Sequence, residues 1–150
     1  MSKYEELCQV FANARKEAVK YKHSCQDFAD FLVHRMSMYF GCAIATGEIR
    51  FYEDGNLHLQ TSLTLYENPQ DTANSACETI TIDLSIIKKC EDFLVAVLPY
   101  GSEFTIPSKN MNKLDELFEF IADKIRAVYE NDIELLVGEC EKIRSLGWNF

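Results

Sequence analysis

The chain has 150 residues, 47% of them hydrophobic and 26% charged, with a formal net charge of −9 and a pI near 4.8. This is the size and composition of one globular domain that can bury a core without disulfides or metals, and it excludes a wholly disordered chain. Such a charge repels nucleic acid and anionic membrane and favours a protein partner with a basic surface.

The charge is unevenly spread. Residues 1–40 carry five acids and six bases, residues 41–109 ten and four, and residues 110–150 nine and five, so the acidity belongs to the middle and the end. The opening MSKYEELCQVF has no apolar run behind a basic cluster, and no apolar stretch is long enough to span a bilayer, so a cytoplasmic protein is expected. Six cysteines, at positions 8, 25, 42, 77, 90 and 140, form no C-x-x-C and read as buried, reduced thiols.

From Leu7 onward apolar residues step by four and three: Leu7, Phe11, Ala14, Ala18, Tyr21, Cys25, Phe28, Leu32 and, after Arg35, Tyr39. This spacing draws one stripe down a helix. Ser24 followed by Asp27 would cap a second helix, so the segment is one long helix or two nearly collinear ones, with Gly41 as its stop. Packing on the protein's own sheet is the simpler use of the stripe; a seven-residue repeat of this length also makes a homodimer seam.

Glu48 to Tyr66 reads as a hairpin. A two-residue loop at Asp54-Gly55 would scramble its faces. A three-residue loop, Glu53-Asp54-Gly55, pairs Phe51 with Leu57 and Ile49 with Leu59, with Gly55 left-handed in a bulge. Asn68 to Ser75 is a loop. Thr79 to Ile86 alternates as a half-buried strand, Phe93 to Leu98 is apolar on both faces, and a short strand at Phe104–Ile106 ends at Pro107. A final helix starts near Ser108 or Asn110 and runs through Leu114, Phe118, Ile121, Ile125, Val128, Ile133 and Leu136. Gly138 would kink or end it, and Trp148 and Phe150 would dock on the core or form a contact surface. The fold expected is α+β: one domain in which an antiparallel β-meander of four to five strands is flanked by a long N-terminal helical segment and a long C-terminal helix.

The hairpin register sends Arg50 and His58 outward as neighbours beside Glu48 and Gln60, a candidate ligand-binding face made of Arg50, His58 and Gln60 that Thr79, Thr81 and Asp83 would extend. An ordinary solvated sheet face has the same pattern. Cys42 follows a helix C-terminus, where the dipole opposes a thiolate, so it makes a poor nucleophile. His23 and His34 share a helix side but stand roughly 16 Å apart, too far for one metal. Neither a phosphate-binding glycine loop, G-x-S-x-G nor H-E-x-x-H occurs. No enzyme activity, cofactor or metal is expected, and the basic cluster Arg15, Lys16, Lys20, Lys22 and His23 is too small to make nucleic acid the partner.

These features point to a non-catalytic acidic protein-binding factor, an inhibitor, immunity or anti-defence protein of bacterial or phage type that occludes a basic site. Its candidate partner-binding residues are Glu53, Asp54, Glu67, Asp71, Glu116, Glu119, Asp123, Glu130 and Glu134, acids in loops and on an exposed helix face. A secretion-type chaperone, generally similar in size, acidity and architecture, is one alternative. A small-molecule-binding domain or an enzyme using the Arg50 and His58 face is the other.

Overall fold

The computed structural model describes residues 2–136. Helix α1 spans Lys3–Phe40 as one continuous helix of 38 residues. Ser2 caps it, its Oγ accepting from the Glu5 amide at 3.2 Å, and Gly41 ends it in the left-handed region at φ 69°. The second cap available at Ser24 is unused: the helix runs through it, and its hydroxyl accepts from Lys88 Nζ at 2.9 Å.

Five strands follow, β1 (Ala45–Phe51), β2 (Leu57–Tyr66), β3 (Cys77–Lys89), β4 (Asp92–Leu98) and β5 (Ser102–Pro107). They form one antiparallel sheet in chain order, β1-β2-β3-β4-β5, a plain meander. The hairpin has the expected register, with Phe51 opposite Leu57, Ile49 opposite Leu59 and Arg50 opposite His58. Tyr52 N–H donates to Asn56 O at 2.9 Å across the three-residue loop, and Gly55 takes φ 87°. A 3-10 turn at Met111–Lys113 leads into α2 (Leu114–Leu136). Asn110 precedes that turn without a side-chain cap bond, so α2 starts later than either expected cap.

Both helices lie on one face of the sheet. Cys25, Phe28, Ala29, Leu32 and Met36 of α1, with Leu114, Leu117, Phe118, Ile121 and Ile125 of α2, pack against Leu57, Leu59, Ile82, Leu84, Ile86, Val95 and Val97. Phe28 stacks on Phe93 at 4.0 Å between ring centroids, nearly parallel. Thr61 takes one position in this apolar layer and is satisfied by donating to Ile82 O at 3.0 Å.

Three expectations are corrected. The α1 stripe packs on the sheet only from Tyr21 onward: every residue from Ser2 to Lys20 is exposed, and Tyr4, Leu7, Val10 and Phe11 are 65–75% exposed. Ile49 is not covered, because β1 is an edge strand lying beyond the helices. The five cysteines among the described residues are free thiols, but only Cys25 is buried and Cys8, Cys77 and Cys90 are exposed. Gly138, Cys140, Trp148 and Phe150 lie outside the described residues.

Candidate functional site

The helix-free side of the sheet gathers the residues that alternation sends outward. Arg50 faces His58, His58 faces Ser85, and Gln60 faces Asp83, so the strand adjacency needed to extend the polar face is present. A shallow cleft of about 260 Å³ is lined by Glu48, Arg50, Tyr52, His58, Gln60, Asp83 and Leu98, among others. Its volume is below the range of roughly 300–1,000 Å³ usual for small-molecule sites. Its cation is already engaged: Arg50 donates to Glu48 Oε1 at 2.7 Å. His58 packs edge-on to Tyr52, 4.3 Å between centroids. Tyr52 and Leu98 were not named from sequence. Tyr52 stands at the end of β1, and Leu98 joins because β4 pairs with β3 and sets Leu98 opposite Asp83. The apolar character of both faces of β4 was the available signal, since Leu94, Ala96 and Leu98 are half-buried on this side.

The nine candidate partner-binding acids separate into groups. Glu53 and Asp54 sit in the β1–β2 turn, Glu67 and Asp71 in the β2–β3 loop, and the ten-residue strand β2 holds those two ends roughly 30 Å apart. Asp54 serves its own turn, accepting from Asn56 N at 3.0 Å and Asn56 Nδ2 at 2.7 Å, and the backbone bond above all holds its carboxyl below the usual carboxylate range. On α2 the spacing of 116, 119, 123 and 130 places Glu116, Glu119, Asp123 and Glu130 along one side, all exposed. Glu134 falls within the span of α2. The far part of α2 reaches the β2–β3 loop, where Tyr129 donates to Glu78 Oε2 at 2.6 Å and lines a depression with Glu67.

The α2 acids have a neighbour that sequence reasoning placed only in the helix stripe. Tyr39 of α1 donates its phenol proton to Glu119 Oε1. That bond first, then partial burial and the charges of Glu119, Asp115 and Asp123, push the Tyr39 phenol up to about 12. Arg35 lies 3.6 Å from Asp115, and Arg126 pairs with Asp123 at 3.0 Å. The result is an exposed carboxylate surface, Asp115, Glu116, Glu119 and Asp123, with two arginines at its margins. The signal was legible as helical spacing of acids; Tyr39 joins through tertiary packing, its partner being 80 residues away.

Cys42 is half-buried just past the α1 terminus, and burial pushes its thiol up, opposite to what a nucleophile needs. Among the described residues no three His, Cys, Asp or Glu side chains are close enough to hold a metal, and no helix is long and apolar enough to cross a membrane. No protein-family model, curated protein or solved structure matches the chain.

Proposed function

We propose that the protein is a non-catalytic binding factor whose acidic α2 surface occludes a basic site on another protein, as an inhibitor, immunity or anti-defence protein does. The reading rests on the run of exposed carboxylates Asp115, Glu116, Glu119 and Asp123, continued by Glu130. An excess of negative charge along a helix speeds encounter with an oppositely charged surface and orients it. The β1–β2 turn acids are at a different place in the fold, and Asp54 is held by Asn56, so the α2 group with Glu67 carries the reading. Self-association through the exposed first half of α1 is a separate proposal.

Affinity capture from the native host, followed by the same capture with Glu116, Glu119, Asp123 and Glu130 all changed to lysine, tests it. The partner retained by the native chain is expected to be basic, to be lost with the variant, and to bind more weakly as salt rises. Unchanged capture by the variant would sink the acidic-surface reading.

A second reading, a secretion-type chaperone that holds an extended client, is favoured by the exposed apolar stripe of α1. It requires that client capture survive charge reversal on α2 and be lost on substitution of Phe11. The small-molecule reading uses the Arg50 and His58 cleft; a metabolite that raises the melting temperature of the native chain but not of an Arg50→Ala variant would support it.

A further inference from the structure

The first half of α1 projects about 27 Å beyond the part that packs on the sheet, and every side chain from Ser2 to Lys20 is exposed. Its apolar residues are not scattered around the helix. At 100° per residue, Leu7, Phe11, Ala14 and Ala18 fall within about 40° of the direction of Cys25, which faces the sheet. One continuous apolar face therefore changes its partner at Tyr21: the sheet covers it beyond that point, and nothing in this chain's described residues covers it before.

We infer that the uncovered face pairs with the same face of a second copy of this chain, the two α1 helices running antiparallel in the register where paired residue numbers sum to 25. Two observations select this occupant and this register. In size, the register sets Leu7 opposite the partner's Ala18, Phe11 opposite the partner's Ala14, and Tyr4 opposite the partner's Tyr21. Large side chains thus meet small ones in the two central layers, and two-fold symmetry repeats each layer. In space, a parallel partner would need the seam beyond Tyr21, where Cys25, Phe28, Leu32 and Met36 of α1 are already packed on the chain's own sheet. An antiparallel partner ends where that sheet begins.

Two exposed aromatics and their aliphatic neighbours from each copy bury on the order of 1,000 Å² in total, the lower end for a specific pair. The dimer is accordingly expected to dissociate at roughly micromolar concentration. The pairing does not depend on the α2 reading: reversal of the α2 acids leaves it intact, and loss of the pair leaves single-site capture through α2 intact.

Sedimentation equilibrium on the full chain from about 1 to 300 μM tests it. The native chain is expected to be dimeric over most of that range, and Phe11→Glu to raise the dissociation constant by about 100-fold or more. Phe11→Ala leaves a hole and Ala14→Phe a clash, so each weakens the pair. The double variant Phe11→Ala/Ala14→Phe rebuilds the large-against-small layer and is expected to recover to within about tenfold of the native constant. A native chain that stays monomeric throughout overturns the inference, including the case in which a different protein takes the stripe. A dimer indifferent to Phe11→Glu overturns it as well. A double variant no better than the worse single one refutes the register. Residues 2–20 are all exposed and contribute nothing to the buried core among the described residues, so the far-ultraviolet spectrum checks that every variant is folded.

Discussion

Tyr21 holds together parts of the chain that are far apart in sequence. Its hydroxyl donates to Gly55 O at 2.7 Å and accepts from Lys88 N at 3.2 Å, tying α1 to the β1–β2 turn and to the end of β3, 34 and 67 residues away. Tyr21→Phe keeps the ring and removes both bonds, leaving a partly buried amide and carbonyl short of a partner. The expected loss is about 1–3 kcal/mol, read as a lower urea midpoint with an unchanged slope. From sequence Tyr21 was one more apolar step in a helix, because a hydroxyl's long-range partners leave no local pattern. Tyr39 makes the complementary case. Its phenol, pushed up to about 12 chiefly by Glu119, binds its proton more tightly in the folded state than an ordinary tyrosine near 10. The stability this contributes is fully present below pH 10 and is lost as pH rises through about 12. Glu119→Gln is expected to bring the Tyr39 titration, followed by phenolate absorbance, back toward 10.

The elements most legible in the sequence are those whose local chemistry agrees with their packing. The β1–β2 register followed from one constraint, that Ile49, Phe51, Leu57 and Leu59 share a face, together with Asp54-Gly55 in a turn. It is the register found. Gly41 was equally legible as a helix stop. Both glycines have positive φ, but their surroundings differ. A Cβ at Gly41 would meet nothing within 4 Å, whereas at Gly55 it would lie 3.5 Å from the Tyr21 hydroxyl. Each Gly→Ala change is expected to cost about 1–2 kcal/mol for the left-handed backbone alone. Because the Tyr21 hydroxyl also donates to Gly55 O, Gly55→Ala and Tyr21→Phe together are expected to cost less than the sum of their separate costs, as thermal melts of the four-member cycle can measure. The burial of an edge strand was not legible: Ile49 carries the right pattern, but only the lateral extent of the helix layer decides that β1 escapes cover. The two uses of the α1 stripe were both readable as alternatives, and spacing alone could not divide them, since the same face serves both.

At the scale of the whole molecule, the two candidate surfaces belong to different ends and different physics. The α2 surface is charged, so binding through it is expected to respond to salt; the overhang of α1 is apolar, so pairing through it is expected to respond to concentration. If the overhangs pair, folding is linked to association, and the melting temperature should rise by about 2 °C per tenfold increase in protein concentration. Scanning calorimetry at several concentrations reads this directly, and Phe11→Glu is expected to flatten the dependence while leaving the dilute-limit transition of the sheet domain in place. The candidate site was legible in its ingredients more than in its assembly. The α2 acids and the Arg50, His58 and Gln60 face were identifiable from periodicity, whereas the separation of Glu53 and Asp54 from Glu67 depends on the length of β2.

The unbroken run of α1 from Lys3 to Phe40 also acts as a ruler. At 1.5 Å per residue it is about 57 Å long, while a compact chain of this size has a radius of gyration near 15 Å, so the helix alone exceeds the expected diameter. In the antiparallel pair Tyr21 lies level with the partner's Tyr4, which places the two Tyr21 fulcrums about 25 Å apart along the shared axis. The distance between the two sheet lobes is then set by the helical run from Tyr4 to Tyr21, and one heptad inserted in it would move them apart by about 10 Å while preserving the face that joins them.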